Sequence, residues 1–198
     1  GEWMPASTGS QPGRESGAVR LMRAAVVASI VLPLLLLMGG GGSEHALASK
    51  IASSPRLGQL WITNPENPAI AALGSPIDVP VNIREFYRLE QFCEKKKIDL
   101  VVIGPEAPLA AGVSDALRTA GFRVFGPSQA AAQLEASKRF AKEVMFAAGV
   151  PTARASWHSD AASAKLAARM MGAPVVIKAS GLAAGKGVIV ASSLDEAE

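Results

Sequence analysis

Cysteine is nearly absent from the 198 residues; Cys93 stands alone. One thiol excludes an internal disulfide and points to a reducing compartment, and its setting predicts a small apolar side chain on a helix. Charge of one sign is also missing. Twenty Lys and Arg against seventeen Asp and Glu leave a net charge of +3. The surplus forms no basic stripe with interleaved aromatics, so nucleic-acid binding has little support. No apolar run is long enough to cross a bilayer as a helix. Ala24–Met38 has 15 residues and is broken by Pro33, against the roughly 20 that a span needs. There is no metal-ligand cluster, nucleophile–base pair, paired carboxylates, internal repeat or heptad pattern. No catalytic set and no metal ligand is therefore expected within these residues. Gly1 in place of Met, and an end at Glu198 inside a charged helical start, lead us to expect part of a longer protein.

What is present fits an ordinary α/β protein, with 49% hydrophobic and 19% charged residues. Residues 1–23 are rich in Gly, Ser, Pro and Arg and are expected to be disordered. Arg20 and Arg23 ahead of the apolar run resemble a secretory signal. A competing reading divides the run at Pro33. Leu34–Met38 is then a buried parallel strand that feeds Gly39, Gly40, Gly41 and Gly42 and a helix from about Ser43. This reading explains the glycine turn, which a cleaved signal would strand. Residues 1–32 become an extension, disordered or targeting. Beyond Leu34 strands and helices alternate as in a doubly wound parallel sheet. Helices are expected over 44–53, 83–97, 113–120, 128–148 and 161–171, and strands over 59–63, 77–81, 100–103 and 123–125. Residues 64–68 are expected as a loop. A domain boundary near 127–135 gives a substrate-binding domain over 33–134 and the start of a second domain over 135–198.

The stretch Val175–Val190 carries the clearest chemistry. Two β-branched runs flank a loop of Gly, Ala and Ser with one lysine, so backbone N–H groups can approach an anion beside Lys178 and Lys186. Phosphate binding and a plain hairpin with a solvated lysine both fit. A Walker A loop does not. Only three residues separate Gly181 from Gly185-Lys186, Gly187 replaces the hydroxyl residue, and the loop joins strand to strand. Gly39–Gly42 offer backbone donors at a helix start, or a tight turn alone. As a dinucleotide fingerprint they fail, since Glu44 or His45 falls on the third glycine position and Thr63-Asn64 supplies no acid for a ribose. Glu106, in the turn after a buried strand, can accept hydrogen bonds from sugar hydroxyls or an amine, or be merely solvated. His45 reads as a capping or packing residue and His158 as exposed.

Four motifs go further together: GGGGSEHALA at 39–48, VVIGPEAPLAAGV at 101–113, FGPSQAAAQLEASKRFAKEVM at 125–145 and VVIKASGLAAGKGVIVA at 175–191. With them the chain from Leu34 onward resembles the N-terminal part of the phosphoribosylamine–glycine ligases (glycinamide ribonucleotide synthetases), ATP-grasp enzymes of purine biosynthesis. The resemblance implies a Rossmann-like pre-ATP-grasp domain followed by the start of an ATP-grasp domain. It also implies ligation of glycine to 5-phosphoribosylamine at the expense of ATP, by way of a glycyl phosphate. By this likeness Gly39–Gly42, Asn67, Gly104, Pro105 and Glu106 lie on the phosphoribosylamine side. Lys138 and Lys178 match lysines that reach the nucleotide, and Ser180, Gly181, Gly185, Lys186 and Gly187 belong to the loop that closes over ATP. Mg2+ or Mn2+ is implied, with its acidic ligands beyond residue 198.

Ser43 stands where the family usually has Arg, and Pro65-Glu66-Asn67 where it has Pro-Gly-Asn. The location implied is cytoplasmic, or a plastid or mitochondrion if residues 1–32 are a transit peptide; no membrane is expected. These residues alone are expected to be inactive. Two other readings are another ATP-grasp carboxylate–amine ligase, such as a biotin carboxylase, and a membrane-anchored or secreted binding protein that uses residues 20–38.

Overall fold

Four leucines and a methionine, Leu34–Met38, form β1 at the centre of a five-stranded sheet in this computed structural model. Residues 32–82, 85–179 and 187–198 are described, and residues 33–198 make up one unit. The expectations for residues 1–31, disorder or targeting, lie outside them.

β1 pairs in parallel with β2 (Gln59–Ile62) on one side and β4 (Leu100–Ile103) on the other. β3 (Ser75–Pro76) extends the sheet beyond β2 and β5 (Val124–Phe125) beyond β4, both in parallel. The order β3-β2-β1-β4-β5 is that of a doubly wound fold, with its topological switch between β1 and β4. Apolar residues on both faces of β1 follow from that central place. Leu36 and Met38 point into one core with Phe92, Cys93, Val101, Ile103 and Leu117. Leu37 points into the other with Ala48, Leu60, Ile62, Ile70 and Val102. Side chains that alternate along the strand serve both layers.

Helices cover the two faces. α1 (Gly42–Ala52) and α2 (Pro68–Ala71) bring Ala48 and Ile70 to the second core, and α3 (Tyr87–Lys96) brings Leu89, Phe92 and Cys93 to the first. After β4 come α4 (Glu106–Ala110) and α5 (Val113–Thr119). Trp61 meets Phe92 edge to face, with centroids 5.3 Å apart, and the Lys96 ammonium lies 4.7 Å above the Trp61 ring.

Past β5 the chain makes α6 (Gln129–Ala136), α7 (Lys138–Ala147), α8 (Ala161–Met171), the antiparallel pair β6 (Val175–Lys178) and β7 (Val188–Ala191), and α9 (Leu194–Ala197). The expected strands over 34–38, 59–63 and 100–103, the hairpin flanks and the helix over 161–171 are all present.

Four expectations need correction. The helix expected over 128–148 is two helices, because Ser137 is extended at φ −123, ψ 104 and its hydroxyl accepts from the Phe140 N–H. Ser137 ends α6 and caps α7. The helix expected from Ile83 begins at Tyr87, and ahead of it Glu85 N–H donates to Asn82 O in an isolated bridge, with Ile83 and Arg84 outside the described residues. The third strand occupies 75–76 rather than 77–81. Ile77 N–H makes one more bond, to Ile62 O, and the Pro80 ring cannot extend the ladder. The loop expected over 64–68 gives way at Pro68 to α2, where Asn67 accepts from the amides of Ala69 and Ile70 and Pro68 takes the first helical position.

Candidate functional site

The carboxyl ends of β1 and β4 open side by side, and the two glycine-bearing turns meet there. β1 runs into Gly39–Gly42 and β4 into Gly104-Pro105, with Glu106 opening α4 rather than lying in an irregular turn as expected. Gly39 has φ +114, and a Cβ on it would lie 2.6 Å from both Glu44 Cγ and Pro105 Cγ. Glycine is required on both counts. Gly104 has the same tight setting, with a Cβ 2.7 Å from Glu44 Cγ.

Hydrogen bonds fix the first turn from three directions. Gly39 N–H donates to Thr63 Oγ1 at 3.0 Å, and the Thr63 hydroxyl donates to Asn64 Oδ1 at 2.7 Å. Asn64 Nδ2 in turn donates to Glu66 Oε1 at 2.5 Å. The Glu66 carboxyl is held below the ordinary carboxylate range by a backbone hydrogen bond and then by Asn64. Asn67 Nδ2 donates to Gly40 O at 2.8 Å while its Oδ1 caps α2. Gly41 N–H donates to Glu44 Oε2 at 2.7 Å, half of a capping box. The amides of Gly42 and Ser43 head α1, where helix geometry gives them no intrahelical acceptor.

Glu44, Thr63 and Asn64 were not singled out from the sequence as site residues. A Glu three residues past the N-cap glycine is the signal for Glu44, and the polar pair at the end of β2 is the signal for the others. Glu106 is exposed. His45 Nε2 lies 3.5 Å from Ser49 Oγ one turn on, in keeping with packing. His158 is exposed and lies 2.8 Å from Ser156 Oγ.

The second region is the hairpin. Lys178 ends β6, is exposed and pairs with Val188. Gly187 has φ +70, and Ala179 N–H donates to its carbonyl at 2.7 Å, closing the strand pair. Ser180, Gly181, Gly185 and Lys186 lie outside the described residues. Lys138 is the first residue of α7. Beside it Arg139 pairs with Glu143 at 2.7 Å and stands over Trp157. Among the described residues no three His, Cys, Asp or Glu side chains are grouped so as to hold a metal ion. Nor is any described helix long and apolar enough to cross a membrane.

These features define an α/β protein with two glycine turns meeting at its sheet's switch point and an antiparallel strand pair downstream. Residues 34–135 match the family described as phosphoribosylglycinamide synthetase, N domain, and residues 136–198 match the ATP-grasp (A) domain of the same synthetase. The chain belongs to the phosphoribosylglycinamide synthetase family. It is 53% identical over 154 residues to a phosphoribosylamine–glycine ligase of Mesorhizobium japonicum, with 78% of this chain and 36% of that protein covered. To the Nostoc sp. ligase of the same name it is 46% identical over 155 residues, again covering 78% and 36%. The chain thus spans a little over a third of these relatives. The crystal structure of the Thermotoga maritima phosphoribosylamine–glycine ligase superposes with a TM-score of 0.63 at 27% identity, over 82% of this chain and 37% of that one. A Campylobacter jejuni biotin carboxylase shares the fold, with a TM-score of 0.65 at 19% identity over 86% and 41%.

Proposed function

We propose that this chain supplies the substrate-binding domain and the first part of the ATP-grasp domain of a phosphoribosylamine–glycine ligase. One observation carries the reading: both segments match the two domains of one synthetase, in order and without a break. The resemblance to biotin carboxylases is one of fold alone, and the membrane or secreted reading has no comparable support.

In this reading residues 33–134 hold 5-phosphoribosylamine in the crevice of Gly39–Gly42, Asn67, Gly104, Pro105 and Glu106. Residues 135–198 bring Lys138, Lys178 and the stretch Ser180–Gly187 to ATP. A glycine carboxylate oxygen attacks the γ-phosphorus and ADP leaves, which gives a glycyl phosphate. The ribosylamine nitrogen then attacks its carbonyl carbon; inorganic phosphate departs and the nitrogen sheds a proton. Lysine charge and backbone donors along the hairpin offset charge on the transferred phosphoryl group. A divalent cation, Mg2+ or Mn2+, accompanies ATP and supplies further charge. The proposed location is the cytoplasm, or an organelle if residues 1–32 direct import.

A chimera tests this. The matching stretch of the Mesorhizobium japonicum ligase is replaced by residues 34–198 of this chain. ADP and phosphate should form only when glycine and phosphoribosylamine are both supplied. An inactive chimera, or turnover without glycine, overturns the reading.

A further inference from the structure

Glu44 is the one charged side chain among the described residues that is buried, at 7% exposure. It lies between the two turns of the crevice. A Cβ on Gly39, Gly41 or Gly104 would each run into it, at Cγ, Oε2 and Oε1 respectively. The three glycines therefore make room for a carboxylate. Its Oε2 accepts from Gly41 N–H. Its Oε1, on the Gly104 side, has no hydrogen-bond partner among the described residues. No buried side-chain oxygen or nitrogen there lacks a partner, so Oε1 is not fully enclosed.

Glycine turns at helix starts ordinarily suit phosphate, but here much of that capacity is taken. Gly39 N–H is bound by Thr63, Gly41 N–H by Glu44, and the Glu44 carboxylate sets a negative charge where a phosphate would sit. A free carboxylate oxygen accepts hydrogen bonds and attracts cations.

We infer that Glu44 is a substrate-binding residue whose free oxygen receives the hydroxyl or amine end of the ribosyl substrate, so that the phosphate lies away from the Gly39–Gly41 turn. This rests on the phosphoribosylamine reading and gives it an orientation. Ribose 5-phosphate carries both ends and is a stable probe.

The experiment titrates the 198-residue chain, labelled with nitrogen-15, with ribose 5-phosphate and separately with inorganic phosphate. The amides of Gly41, Gly42 and Gly104 should shift with ribose 5-phosphate and stay in place with phosphate at the same concentration. This comparison needs no variant. Glu44→Gln keeps an acceptor for Gly41 N–H, removes the charge, and should weaken ribose 5-phosphate binding at least tenfold with little change in melting temperature. Equal shifts with phosphate, unchanged or tighter binding to Glu44→Gln, or no binding of ribose 5-phosphate overturns the inference. The chimera separates the two claims. If it is active and Glu44→Gln binds normally, the reaction stands and only the role of Glu44 falls. If it is inactive while binding follows expectation, the sugar site stands without the reaction.

Discussion

Burial pushes the Cys93 thiol up to about 12, and the nearby Glu90 carboxylate adds to the shift. In the unfolded chain the thiol ionises near its ordinary 9.0. The folded state therefore binds the proton more tightly, and the stability linked to it is complete below pH 9 and lost as pH rises towards 12. The difference in urea midpoint between the wild type and Cys93→Ala should accordingly shrink across that window; a constant difference contradicts the burial. The thiol should also resist alkylation until the chain unfolds. At Gly104 the expected effect is steric. Gly104→Ala drives a methyl into Glu44 and should cost about 1–3 kcal/mol. Adding Glu44→Ala should return part of that, read as non-additivity in chemical denaturation. The glycines were legible as a turn. That they also accommodate a carboxylate was not, because Gly104 and Glu44 lie 60 residues apart in sequence.

Among the elements, the α6–α7 junction separates periodicity from local geometry. Apolar positions run helically through residues 134–148, yet Ser137 interrupts the backbone because its hydroxyl satisfies the Phe140 N–H. Ser137→Ala removes that cap and should destabilise α7 by about 1 kcal/mol, seen as faster hydrogen exchange at Phe140; unchanged exchange would deny the cap a role. Asn67 does two jobs, capping α2 and holding Gly40 O. Asn67→Ala should cost about 1–2 kcal/mol and disturb the glycine turn, whereas Asn67→Asp should keep the cap and lose the grip on Gly40. Comparing melting temperatures with the Gly40 amide shift distinguishes the two effects. The Asn67-Pro68 pair was a readable helix start, obscured by Asn64 and Pro65 just ahead of it, which suggest a loop.

In the molecule as a whole, the apolar surface is unevenly covered. The parallel sheet has a core on both faces, but beyond Ser137 many large apolar side chains are open: Phe146 at 50%, Ile189 at 52%, Val190 at 64% and Met170 at 82%. Exposed apolar side chains in such number favour contact with other apolar matter. The purified chain should therefore bind a hydrophobic dye, and replacing both Ile189 and Val190 with Thr should reduce that fluorescence without unfolding residues 33–125. Residues 1–198 alone should form no glycinamide ribonucleotide from glycine, phosphoribosylamine and ATP; product above background would refute this.

The central strand, the βα alternation, the hairpin flanks and the family could all be read from the amino-acid sequence. Each of these rests on short-range patterning or on motifs whose order along the chain is informative. Only the tertiary structure brought the two glycine turns together around Glu44, tied Asn67 and Thr63 to them, and left the hairpin's apolar residues open. The meeting of the glycine turns depends on which distant residues pair, and β1 pairs in parallel with residues 25 and 65 positions away (Leu34 with Gln59, Leu35 with Leu100), beyond the reach of any local pattern.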